Sequence, residues 1–244
     1  MQQKAVLLLG ACTISGLGLP ATLSLPVLIN RAFREDPVFR LRLEADNHID
    51  HLAQMHDRLA RGVFRGPFDI VVLQSMIGRE TIPRLGLRDR YDRPGPIGFL
   101  YRLLRRLDFL PQGHRLINHV RRWLGRRKSS QQDYEQMLVA CLQQIRRYWP
   151  SARIIVLGQG PPLSPIRAPF AVVCEQNRQK LAQYGSRYDF DFVDLYPVLL
   201  PYEAAAVYQA DGSHYTAQGQ RLVAQAIIAR IAAALKASPA AEPR

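Results

Sequence analysis

The sequence is poor in cysteine, in acidic residues and in long apolar runs. Cys12, Cys141 and Cys174 are the three cysteines among 244 residues. An odd number without metal-ligand spacing argues against a disulfide framework and a zinc site, and fits a reducing compartment. No apolar stretch reaches the roughly eighteen residues that a membrane-spanning helix needs. Acids are outnumbered, with 20 Asp/Glu against 33 Lys/Arg and a formal net charge of +13. That imbalance is local. Between Arg79 and Lys128, fourteen Lys/Arg stand against four acids, Glu80, Asp89, Asp92 and Asp108. Such a block points to an anionic partner for one segment rather than to a uniformly basic surface.

The remaining composition, 48% hydrophobic and 22% charged, is that of a globular chain long enough for one sizeable core. At the N-terminus, MQQK precedes AVLLLGAC, and Leu9-Gly10-Ala11-Cys12 loosely matches a lipoprotein attachment box. The apolar run is at the short end for a signal peptide and its basic flank is thin. The expectation is a cytoplasmic protein. Association with a membrane surface is the alternative, and lipoprotein export is the lesser one.

Apolar runs and helical patterns alternate along the chain. AVLLL (5–9), FDIVVLQS (68–75) and ARIIVLGQ (152–159) read as strands covered on both faces. VFRLRLEA (38–45) alternates like a strand with one exposed face, and FDFVDLYP (190–197) reads as a last strand. Helices are expected over 19–33, 48–64, 134–150, 169–188 and 216–237, the last capped by Thr216. Residues 238–244 read as a disordered tail. Strands alternating with helices imply a parallel sheet in an α/β three-layer sandwich, with chemistry at the carboxyl ends of the strands. The expected domain is 1–237, carrying a basic helical or lid segment over 79–130.

Asp211-Gly212-Ser213-His214 stands immediately before the last helix. An acid three residues ahead of a histidine in a turn can fix the imidazole tautomer, leaving the other nitrogen free as a base. Here the sequence resembles the SGNH/GDSL hydrolase family. VLLLGACTIS is similar to its first block, a strand followed by Gly-Asp-Ser. FDIVVLQSMIGRE is similar to the strand before its Gly-x-Asn block. FVDLYP with DGSHYTAQGQRLVAQAI is similar to the last block, Asp-x-x-His. The resemblance implies a flavodoxin-like sheet and acyl-ester chemistry, with Asp211 as orienter and His214 as base. The chain departs from the pattern at Gly10-Ala11-Cys12, where a thiol replaces the serine, and at Met76-Ile77-Gly78-Arg79, where the Asn is missing.

Cys12 thus has two readings, a small core residue or the nucleophile of a Cys12-His214-Asp211 triad. Ser15 is a weaker alternative nucleophile, and Cys141 and Cys174 sit on apolar helix faces. Gly10, Asn47, Gln74, Ser75 and Gly78 are the candidates for oxyanion or substrate contacts. In the basic segment, leucines and arginines alternate around helical turns, with Arg102, Arg105, Arg106, Arg121 and Arg122 beside the apolar stripe. A solvated lid, an anionic membrane surface and an acidic carrier protein all fit that pattern. Nucleic acid fits less well, since no recognisable module accompanies the arginines. The expected activity is hydrolysis or transfer of an acyl group from an ester or thioester, with no metal or organic cofactor. The alternative is a catalytically silent relative that binds an anionic or acylated partner.

Overall fold

The computed structural model describes residues 2–49, 51–77, 130–164, 167–210 and 212–237. Strands β1 (Gln2–Leu9), β2 (Phe39–Asp46), β3 (Ile70–Gln74), β4 (Arg153–Leu157) and β5 (Asp191–Val193) form one parallel sheet in the order β2-β1-β3-β4-β5. This is the doubly wound order in which the chain changes direction beside its first strand. Leu9 is in register with Asp46 on one side and Leu73 on the other, so three strands finish level.

Burial on both faces explains the continuous apolar runs. Leu7, Leu9, Val71, Leu73 and Val156 point to one face, under α3 (Leu52–Ala60), α4 (Gln131–Tyr148) and α5 (Ala171–Tyr188). Val6, Leu8, Val72, Ile155 and Leu157 point to the other, under α2 (Leu25–Arg34) and α8 (Ala217–Ala237). Edge strand β2 keeps Arg40 and Arg42 in solvent, as its alternation implied. The layers are those of the expected α/β sandwich. Among the described residues no helix is long and apolar enough to cross a membrane.

Local chemistry moves several boundaries. The pattern over 48–64 yields a helix only over Leu52–Ala60, because His51 caps it through Nδ1, which accepts Gln54 N–H at 3.2 Å. Gly62 at φ 63 lies just beyond its end, and Val63 is solvent-exposed. The last strand is three residues long rather than running to Pro197. Asp194 Oδ1 accepts Tyr196 N–H at 3.0 Å, turning the chain into α6 (Tyr196–Leu199), where Pro197 offers no ladder donor. Thr216 caps α8 as expected, its Oγ1 accepting Gly219 N–H at 3.2 Å. Ser130 opens α4 with a capping box to Asp133, whereas 79–129 and the 238–244 tail lie outside the described residues.

Candidate active site

The crevice outside β1 and β3 lies where the strand order reverses, the usual place for chemistry in an open α/β sheet. Directly after β1 comes Gly10, then α1 (Cys12–Ser15), a single turn closing on Gly16 at φ 65. Gly10 has no room for a side chain. A Cβ there would stand 2.7 Å from Gln74 Oε1 and 2.7 Å from Ile14 Cγ1. The loop after β2 clamps the same residue: Gly10 N–H donates to Asp46 O at 2.9 Å, and Gly10 O accepts Ile49 N–H at 3.0 Å.

Gln74, the last residue of β3, straddles the Cys12 turn. Its Oε1 accepts Ala11 N–H at 2.9 Å and its Nε2 donates to Thr13 Oγ1 at 3.0 Å. One side chain therefore fixes the residues on both sides of Cys12. Cys12 itself is half-buried, packing below on the α3/α4 core cluster. The Ser15 hydroxyl donates to Cys12 O at 3.2 Å and so serves the turn.

The histidine arrives on a tight hairpin between α7 (Ala204–Val207) and α8. Tyr208 and Tyr215 form an antiparallel bridge, and Gln209 N–H donates to His214 O at 2.8 Å. Gly212, at φ 65, donates its N–H to Gln209 O at 2.8 Å, and its carbonyl accepts the Ser164 hydroxyl at 3.1 Å. The two tyrosine rings stack at 5.4 Å, and Tyr208 O–H donates to Pro161 O at 2.9 Å. Burial pushes the Tyr215 phenol up to about 12, and pushes Tyr208 well above the ordinary tyrosine range. Both phenols stay neutral near pH 7, and Tyr208 acts as a structural donor. Held this way, half-buried His214 lines the same narrow crevice as Cys12, with Thr13, Leu17, Ser213 and Gln220 around it.

Cys12 differs from the other two cysteines. Cys141 is fully buried with its thiol on Leu52 O at 3.5 Å, and Cys174 is fully buried with its thiol pushed up by that burial. A buried, protonated thiol is inert, so crevice access sets Cys12 apart.

Of the expected oxyanion candidates, several have scaffold duties. Gly10 N–H is on Asp46 O, and Ser75 N–H donates to Leu157 O at 2.9 Å within the sheet. Gln74 holds the turn. Asn47 follows β2 at the same end of the sheet, one residue after the Asp46 carbonyl that clamps Gly10. Met76 takes a left-handed φ of 56 at the place where the Asn block was sought, a strained backbone for a non-glycine residue. Asp211, Gly78 and the arginines Arg102, Arg105, Arg106, Arg121 and Arg122 lie outside the described residues. Among the described residues no group of three His, Cys, Asp or Glu could hold a metal ion.

The scaffold of the site was missed by pattern reading. Ser164, Tyr208 and Tyr215 carried no periodic signal, although the two tyrosines bracket the Asp-x-x-His turn.

The model of the GDSL-like lipase/acylhydrolase family matches residues 118–222. The fold aligns with TesA at TM-score 0.59 and 15% identity, covering 95% of this chain and 99% of that one. It aligns with an extracellular lipase from Streptomyces rimosus at TM-score 0.56 and 15% identity, covering 94% and 99%. A catalytic mutant of Axe2, an acetylxylan esterase from Geobacillus stearothermophilus, aligns at TM-score 0.57 and 14% identity, covering 93% and 94%. No curated protein sequence matches the chain.

Residues 118–222 thus resemble the GDSL-like lipase/acylhydrolase family, and the fold is the one shared by these hydrolase structures.

The matched stretch takes in the His214 hairpin and does not reach the Cys12 turn. The nucleophile question therefore rests on the residues themselves.

Proposed function

We propose that the protein is an acyl hydrolase or acyltransferase in which Cys12 is the nucleophile, His214 the base and Asp211 its orienter. The observation that carries the reading is that Cys12 and His214, from opposite ends of the chain, line one crevice at the sheet's reversal point. In the first step His214 takes the thiol proton as Cys12 Sγ bonds to the acyl carbonyl carbon. The tetrahedral oxyanion then collapses, the bond to the leaving alkoxide or thiolate breaks, and His214 returns the proton to that group. Water, deprotonated by His214, attacks the thioester to release the acid and the Cys12 thiol, unless another acceptor takes the acyl group.

A thiol nucleophile favours thioester substrates, since exchange of one thioester for another is close to balanced, whereas forming a thioester from an oxygen ester is uphill. The excess of Lys/Arg in segment 79–130 supports docking of an acidic carrier protein or an anionic surface. Charge reversal at Arg105 and Arg106 is expected to weaken such binding and its salt dependence. Turnover of a panel of acyl esters and thioesters tests the chemistry. Cys12→Ala is expected to lose at least about 10³-fold in kcat, and His214→Asn a comparable factor. Full activity in Cys12→Ala would remove the proposal.

A second reading, a catalytically silent binder, is favoured by the replacement of Asp-Ser by Ala11-Cys12 and of the Asn block by Met76-Ile77. It is the reading that survives if no acyl substrate is turned over.

A further inference from the structure

Two glutamines reach across the chain to the Cys12 turn. Gln220, 1% exposed on the first turn of α8, donates from Nε2 to Thr13 O at 2.8 Å. Gln209, in the histidine hairpin, donates from Nε2 to Leu17 O at 2.9 Å and to Tyr215 O at 2.8 Å, while its own N–H holds His214 O. The approach is close. A Cβ on Gly18 would stand 2.9 Å from Gln209 Oε1, and one on Gly16 would stand 3.4 Å from Gln220 Nε2.

A primary amide suits this task because it is neutral and carries two N–H donors in a fixed plane, so one nitrogen can serve two carbonyls. A carboxylate in its place would repel the carbonyls. The acceptors are the main-chain oxygens of Thr13 and Leu17, which follow Cys12, and of Tyr215, next to His214. These bonds therefore place whole backbone turns, not single side chains.

We propose that Gln209 and Gln220 are positioning residues that set the approach of the Cys12 thiol to the His214 imidazole. The proposal rests on the Cys12–His214 reading. It adds that proton transfer between the two depends on side chains whose amide nitrogens hold the neighbouring backbone carbonyls, and that Gln209 couples the two turns directly. Displacement of a reacting pair by about 1 Å costs on the order of 10² in rate.

The test uses the intact chain with Gln209→Met and Gln220→Met, singly. Gln209 is partly exposed, so water can take over its two carbonyls and that variant is expected to fold even if Gln220→Met does not. The readouts are the pH dependence of Cys12 alkylation by iodoacetamide, corrected with Cys12→Ala, and kcat against KM on an acyl thioester. Each glutamine variant is expected to move the alkylation inflection toward the ordinary thiol value of about 8.5. It is also expected to lower kcat by about ten- to a hundredfold with KM changed less than about threefold. A folded Gln209→Met with unchanged inflection and kcat, while His214→Asn does move the inflection, overturns the positioning role alone. An inflection that His214→Asn leaves in place removes the Cys12–His214 pair, and the positioning role with it.

Discussion

Gly10→Ala should damage the candidate site without touching Cys12 or His214. The added methyl would lie 2.7 Å from Gln74 Oε1, 2.7 Å from Ile14 Cγ1 and 2.8 Å from Gln74 Cβ. These atoms belong to a β3 residue and to the core side of α1, so relief means moving Gln74 off Ala11 and Thr13. Overpacking costs about 1–3 kcal/mol. Loss of two hydrogen bonds adds about 0.5–1.5 kcal/mol each. The central expectation is roughly 4 kcal/mol, which for a chain of this size lowers the melting midpoint by about 10 °C. Gly62→Ala is the control. Gly62 has φ 63 and nothing within 4 Å of its would-be Cβ, so its cost is the left-handed backbone alone, about 1–2 kcal/mol. Thermal melts of both variants by circular dichroism check the reasoning. A Gly10→Ala midpoint no lower than that of Gly62→Ala would refute the claim that Gly10 is held between Gln74 and Ile14.

Tyr134→Phe removes a fully buried hydroxyl that donates to Ser75 O at 2.7 Å, next to the strained Met76. It is expected to cost about 1–3 kcal/mol, read as a lower denaturant midpoint at unchanged slope. The Glu135 carboxylate is held below its ordinary value first by the Tyr188 hydroxyl, then by Tyr184 and Arg187. Because the folded value is the lower one, its stabilisation is complete above an unfolded value of about 4.3 and fades as pH falls through the folded value. Glu135→Gln should therefore reduce the midpoint near pH 7 and flatten its fall below about pH 4.3, as melts across pH will show.

The sheet was legible because its signal is local. Leu7, Leu8 and Leu9 are covered on both faces and leave a continuous run in the sequence, and the edge strand shows Arg40 and Arg42 alternating outward. The Cys12 turn and His214 were legible for a different reason, since each sits at a strand end or helix start marked by small residues. What holds them was not. Gln74 bonds Thr13 across 61 positions, and Gln220 bonds the same residue across 207. Contacts at that separation leave no period to read, and glutamine is common on any polar face. The short β5 was misjudged because Phe190, Phe192, Val193, Leu195 and Tyr196 make the stretch largely apolar, while the decisive event is a single Asp194 side chain turning the backbone.

The central claim is that an acyl group passes through Cys12. Incubation with an acyl thioester, acid quench and peptide mapping by mass spectrometry tests it directly. The expected result is an acyl mass on the peptide containing Cys12, absent in Cys12→Ala and removable by hydroxylamine as a thioester should be. Turnover with the acyl mass on Ser15, or with Cys12→Ala still active, would contradict the account.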